Sequence, residues 1–213
     1  MQSFRRRVQE GIEKGIRSQS SAMNPRARKA LFGGTFDPVH EGHLHIARMA
    51  REQMSLDSVI FLPCSISPHK ISASCASIID RLNMLELATR EIDGMQVSDF
   101  DAVQAPPAYS YRTAEHFTAL EPGTEWFWIM GYDQWEALPR WKNPEILAKL
   151  LTFLVFTRDQ DPLPREGYRM IALQGTHPAS SSALRDYQGP DHLRADWLHP
   201  SVLTWIEQQG KYR

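Results

Sequence analysis

Chemistry concentrates in one stretch of this chain, Leu31-Phe32-Gly33-Gly34-Thr35-Phe36-Asp37-Pro38-Val39-His40-Glu41-Gly42-His43-Leu44. Paired glycines closing an apolar run let the backbone come close to an anion, because no Cβ stands in the way. The helical pattern beginning after Pro38 offers N–H groups that lack an intrahelical partner and carry partial positive charge. His40 and His43 are three residues apart, so on a first helical turn both imidazoles can donate to one phosphate, with Gly42 clearing space for it. Phosphate satisfies all three features at once. The competing reading is a metal cluster of His40, His43 and His45. The stretch has neither an H-E-x-x-H pattern nor a cysteine partner, so no protein metal site is expected. Asp37, followed by proline, is expected to close a local Asx-type turn and is left out of catalysis.

Those residues need a scaffold, and from Lys29 onward short apolar runs alternate with stretches of helical period, the pattern of βαβ units around a parallel sheet. Strands are expected over 30–32, 58–62, 95–97, 126–130, 152–156 and 168–173. Helices are expected over 42–53, 78–89, 113–120, 133–138, 144–150, 180–187 and 201–209. Ser77 serves as N-cap of the second helix, which is expected to present Ile78, Leu82, Leu85 and Ala88 or Thr89 on one side. The last helix carries Val202, Trp205 and Ile206 on one face and stops at Gly210. The fold class is a doubly wound, Rossmann-like α/β parallel sheet with a small C-terminal helical part, in which ligands bind at the carboxyl ends of the strands.

Composition narrows the function classes. With 42% hydrophobic and 23% charged residues the chain is an ordinary globular protein, and no apolar run is long enough to span a bilayer. Cys64 and Cys75 form neither a C-x-x-C pair nor a disulfide framework, so a reducing cytoplasm is expected. Residues 1–29 hold eight Lys and Arg against two Glu, a net +6, which leaves −7 on the rest of a chain whose formal charge is −1. That acidic body lacks the spread of basic side chains a nucleic-acid surface needs. Residues 1–28 read as a basic extension with no catalytic role and no secretory core, Met23 as an alternative start, and residues 29–213 as one domain.

Read as a whole, residues 33–44 resemble the G-G-T-F-D-P-x-H-x-G-H signature of the nucleotidyltransferase superfamily that includes the nicotinate- and nicotinamide-mononucleotide adenylyltransferases. Further motifs follow in order. Pro68-His69-Lys70 is similar to the family's P-H-K and Asp80-Arg81-Leu82-Asn83-Met84-Leu85 to its E-R-x-x-M-L helix. Ser110-Tyr111 is similar to S-Y-T, Ile129-Met130-Gly131-Tyr132-Asp133 to I-x-G-x-D, and Leu138 to Trp141 to a segment whose tryptophan lies beside the pyridine ring. Ala179-Ser180-Ser181-Ser182-Ala183-Leu184-Arg185 is similar to I-S-S-T-x-I-R. Read without the resemblance, Lys70 is a solvated surface charge, Trp141 a core residue and residues 180–182 a helix cap. The resemblance is closest to the bacterial nicotinate-nucleotide adenylyltransferases.

That resemblance implies the nucleotidyltransferase fold and adenylyl transfer from ATP, with Mg²⁺ on the triphosphate, to nicotinate mononucleotide, giving deamido-NAD and pyrophosphate. It implies His40, His43, Lys70 and Arg185 as catalytic residues. Gly33, Gly34, Thr35, His40, His43, Gly131, Asp133, Ser181, Ser182 and Arg185 would bind ATP. Phe36, Lys70, Tyr111, Arg112 and Trp141 would bind the mononucleotide. The partners are then small molecules, with no nucleic acid and no membrane; oligomeric state stays open. Arg112 departs from the family's threonine and leaves the choice between acid and amide open. The alternatives are nicotinamide mononucleotide as preferred or equal substrate, another acceptor phosphate such as phosphopantetheine, cytidylyl transfer, or a catalytically silent nucleotide sensor.

Overall fold

A computed structural model describes residues 26–64, 76–157, 160–175, 177–186 and 195–212. The basic extension up to residue 25, Lys70 and Tyr187 lie outside the described residues. Six strands form one parallel sheet: β1 (Arg28–Gly34), β2 (Ser58–Pro63), β3 (Met95–Val97), β4 (Glu125–Gly131), β5 (Thr152–Thr157) and β6 (Met170–Gln174), in the order β3-β2-β1-β4-β5-β6. The four long inner strands are apolar nearly throughout, as strands covered on both faces must be. Strand order reverses between β1 and β4, which places the end of the glycine-containing strand at the switch point.

Alternation along the strands sorts side chains into two cores, one on each face. Phe32, Phe61, Ile129 and Leu154 face α1 (Glu41–Gln53), α2 (Ile78–Thr89) and a helix over Pro200–Gln209. Leu31, Ile60, Trp128 and Phe153 face α4 (Ser110–Leu120), α5 (Tyr132–Ala137) and α6 (Pro144–Leu150). Two short helices complete the set: α3 (Phe100–Val103) and α7 (Ser181–Arg185), so Pro200–Gln209 is α8. Gly210, with φ 61, ends α8 in the left-handed conformation that glycine adopts without strain. Among the described residues no helix is long and apolar enough to cross a membrane.

Ser77 caps α2 as expected, its hydroxyl accepting from the Asp80 N–H at 3.2 Å while the Asp80 carboxyl accepts from the Ser77 N–H at 3.1 Å. The buried stripe of α2 is rotated from the expected one. It runs Arg81, Met84, Leu85, Ala88, with Ile78 and Leu82 half-buried. Arg81 turns inward because its guanidinium finds carbonyl partners there, which gives a buried cation the hydrogen bonds it requires. The four residues of α3 were not expected, since one turn is too short to show a period.

Candidate active site

Where β1 ends, Gly33 and Gly34 are glycines for packing reasons first. A Cβ on Gly33 would meet the Trp128 ring at 3.0 Å, and one on Gly34 would meet the Phe36 ring at 2.8 Å. Phe36 follows with φ 51, a left-handed conformation that costs a residue with a side chain roughly 1 kcal/mol or more. The cost is offset by burial: the ring is 2% exposed and packs edge-on to Phe32, Phe61 and His43. Enclosed in this way, Phe36 can offer a mononucleotide its backbone only. Gly42 was expected to clear space for a ligand; a Cβ there would instead meet His40 Nδ1 at 2.9 Å and the Ala179 carbonyl at 3.1 Å. The room it makes is for the His40 ring and the segment leading into α7.

His40 is the N-cap of α1 and His43 sits in its first turn, with the two rings stacked at 3.7 Å between centroids. The His40 N–H donates to His43 Nδ1 at 3.3 Å, so in neutral His43 the proton is on Nε2 and that atom is the donor. Phe36 holds the ring from the side, 4.9 Å between centroids. His40 differs electrostatically. Burial first, and the nearby His177 second, hold its pKa down at about 3, so it is neutral at any ordinary pH. Its Nδ1 is buried and has no hydrogen-bond partner among the described residues. His177 lies on the segment before α7, tilted against His45 at 5.8 Å, with its Nδ1 accepting from the Ala179 N–H at 3.1 Å. Partial burial and His45 lower its proton affinity.

Loop 35–38 is held through its own carbonyls. Arg81, 1% exposed, donates from Nη1 to Thr35 O at 2.7 Å and to Cys64 O at 2.8 Å, and from Nε to Ala76 O at 3.3 Å. Arg185 donates from Nη1 to Asp37 O at 2.6 Å, and Ser181 Oγ donates to Pro38 O at 3.0 Å. Asp37 does not close a local turn: its Oδ1 accepts from the Ala76 N–H at 3.1 Å and from the Tyr212 hydroxyl at 2.6 Å. The expected ATP residues of α1 and α7 are therefore brought together, with Ser182 Oγ 3.4 Å from Arg185 Nη2. Among the described residues no three His, Cys, Asp or Glu side chains form a group that could hold a metal ion.

Comparison with known proteins identifies the family of the chain. Residues 31–187 match the cytidylyltransferase-like family model. A probable nicotinate-nucleotide adenylyltransferase of Methylacidiphilum infernorum is 45% identical over 195 residues, 87% of this chain and 92% of that protein. One from Neisseria meningitidis serogroup C is 38% identical over 191 residues, 85% of this chain and 96% of the relative. The chain belongs to the nicotinate-nucleotide adenylyltransferase group of the cytidylyltransferase-like family. The fold is shared more widely still. Plasmodium falciparum nicotinic acid mononucleotide adenylyltransferase, solved in complex with NaAD, superposes with a TM-score of 0.69 at 16% identity, covering 87% of this chain and 97% of that one.

The remaining family motifs occupy the other side of the switch point. Gly131 ends β4 with open space about its α-carbon, and Asp133 is exposed in the first turn of α5. Trp141 is 9% exposed and packs edge-on to Trp128 at 6.3 Å between centroids. Tyr111 begins α4 half-buried. Arg112 is exposed; its Nε donates to the Tyr111 hydroxyl at 3.2 Å and its guanidinium covers the rings of Tyr109 and Tyr111 at 5.6 and 5.8 Å. The next residue, Thr113, is buried and donates to Asp101 Oδ1 at 2.6 Å. Burial raises the Asp101 carboxyl to about 6. Arg81, His177 and Tyr212 are the site residues that sequence reasoning gave no role. An arginine inside the apolar stripe of α2 was the available signal for Arg81; His177 carried none.

Proposed function

We propose that the chain catalyses adenylyl transfer from MgATP to the 5′-phosphate of nicotinate mononucleotide, releasing pyrophosphate and forming deamido-NAD. The observation that carries this reading is the His40–His43 pair at the N-terminus of a 13-residue helix beside the switch point. A donor nitrogen held in one tautomer, next to unpaired backbone N–H groups, suits charge that develops on a phosphorus being transferred. The relatives named for this same reaction support it.

The acceptor phosphate is already ionised at neutral pH, so no protein nucleophile or strong base is required, and catalysis reduces to positioning and charge stabilisation. In-line attack forms the bond from the mononucleotide phosphate oxygen to the α-phosphorus while the bond to the pyrophosphate oxygen breaks. His43 donates from Nε2 to the transferred group. His40, neutral, contributes orientation and hydrogen bonding rather than charge. Arg185 and Ser182 face the departing pyrophosphate, and Lys70, outside the described residues, offsets repulsion between the two anions. Mg²⁺, arriving with ATP as part of the substrate, would offset charge on the triphosphate. Asp133 accepts from ribose hydroxyls, and Tyr111 and Trp141 flank the pyridine ring.

Pyrophosphate release by the full chain with MgATP and nicotinate mononucleotide, nicotinamide mononucleotide or phosphopantetheine in parallel tests the reading. Release fastest with nicotinate mononucleotide is expected. Equal release with the amide transfers the assignment to a dual-specificity enzyme, and release with none of the three, in protein that still binds ATP, leaves a nucleotide sensor.

A further inference from the structure

Loop 35–38 is fastened by groups that arrive from far along the chain. Arg81 on α2 takes the Thr35 carbonyl, Ser181 and Arg185 on α7 take those of Pro38 and Asp37, and Tyr212, 175 positions after Asp37, takes the Asp37 side chain. Asp37 is 3% exposed, so the hydroxyl at 2.6 Å satisfies an oxygen that water does not easily reach. The backbone is bent to make this contact. After α8 stops at Gly210, Tyr212 itself has φ 57, a left-handed conformation that is strained for a residue carrying a Cβ and persists only where its surroundings require it. Lys211 pairs with Asp80 at 2.8 Å, pinning the same segment to the start of α2. Asp37 thus has a side chain fixed by Tyr212 and a carbonyl that fixes Arg185.

We propose that Tyr212 is a positioning residue for adenylyl transfer: through Asp37 it sets where the Arg185 guanidinium and the His40 end of the loop stand against the triphosphate. This rests on the adenylyltransferase reading above. The hydroxyl touches no reacting atom. Its effect belongs to the transition state, where Arg185 must meet the departing pyrophosphate, and so it falls on kcat rather than on binding of the mononucleotide.

Tyr212→Phe keeps the ring and removes only the hydroxyl. In the full chain kcat is expected to fall roughly tenfold, the scale of one buried hydrogen bond, with the KM of nicotinate mononucleotide within about twofold and Tm lowered by only a few degrees, so that the protein stays folded at assay temperature. Lys211→Ala, which breaks a partly exposed ion pair, is expected to leave kcat within about twofold. The decisive arm is Arg185→Ala: if Tyr212 acts through Arg185, adding Tyr212→Phe to that variant costs little more. A wild-type kcat in Tyr212→Phe, a loss that follows the unfolded fraction, or a full tenfold loss retained in the Arg185→Ala background would each overturn the proposal. A wild-type chain that releases no pyrophosphate brings down the reaction assignment and this proposal with it; an active wild type indifferent to the hydroxyl brings down this proposal alone.

Discussion

On one side of the switch point, residues 35–38 hand their carbonyls to Arg81, Arg185 and Ser181, and the Asp37 side chain to Ala76 and Tyr212, all in low exposure. On the other, Tyr109, Tyr111 and Arg112 hold one another by ring contacts and one hydrogen bond at 3.2 Å, with Arg112 at the surface. The half expected to handle phosphate is built from directed hydrogen bonds, three of them to backbone carbonyls and two to the Asp37 carboxylate. The half expected to choose the pyridine substrate is built from stacking, which tolerates rearrangement. Chemistry that requires a fixed arrangement is thus separated from recognition that can drift, and the two halves should respond differently to substitution.

His43→Ala tests the rigid half most directly. Removing a donor aimed at developing charge should lower kcat by roughly 10²–10³-fold with a much smaller change in the KM of ATP; a near-normal kcat in a steady-state assay would take His43 out of the chemistry. Arg81→Met comes next. It leaves three carbonyls, those of Thr35, Cys64 and Ala76, without their donor, and about 3 kcal/mol of stability should go with them, read as a lower midpoint in urea at unchanged slope.

His40 supplies a pH signature of the same half. Its folded pKa near 3 lies below the unfolded value near 6.5, so the unfolded chain binds the extra proton in between. Stability from this group is complete above about pH 6.5 and is lost as pH falls toward 3, by up to about 1.4 kcal/mol per unit. Asp101, raised to about 6 by burial, has the opposite sign: its contribution weakens as pH rises from the ordinary carboxylate range to about 6. Urea titrations from pH 4 to 7 should therefore show His40→Gln losing stability with rising pH relative to wild type; parallel curves would mean that His40 is not buried as a neutral ring. The smallest effect belongs to the stacked half. Arg112→Thr should change kcat/KM for either mononucleotide by less than about threefold, since an exposed guanidinium contributes little. A tenfold loss confined to the nicotinate form would show that Arg112 reaches the carboxylate, and the contrast between the halves would fail.

Most of this molecule could be read from its sequence. The inner strands stood out because buried parallel strands are nearly unbroken apolar runs, and Ser77 and Gly210 marked helix ends, the one by its hydroxyl and the other by having no side chain. The signature stretch located His40 and His43, whose residue type and spacing are local properties. Residue order does not record what folding brings next to them. It could not show that His40 would be too buried to carry charge, that Gly42 makes room for a ring rather than a ligand, or that Asp37 would be taken up by a tyrosine from beyond α8. Arg81 was hidden for the opposite reason, because charge usually marks an exposed face and here the carbonyls of three separate segments draw it inward.

The long reach of the loop's fastenings also sets an order of assembly. The bonds from Arg185 and Tyr212 close spans of 148 and 175 positions, so their formation waits on the docking of α7 and α8 against a sheet that is itself built from distant parallel pairings. The parallel sheet and the core on its α4–α6 face can exist before the loop is fastened, whereas the reverse is not possible. On mild denaturation the sequence of events runs backward, and the enzyme should fall silent while most of its sheet remains folded.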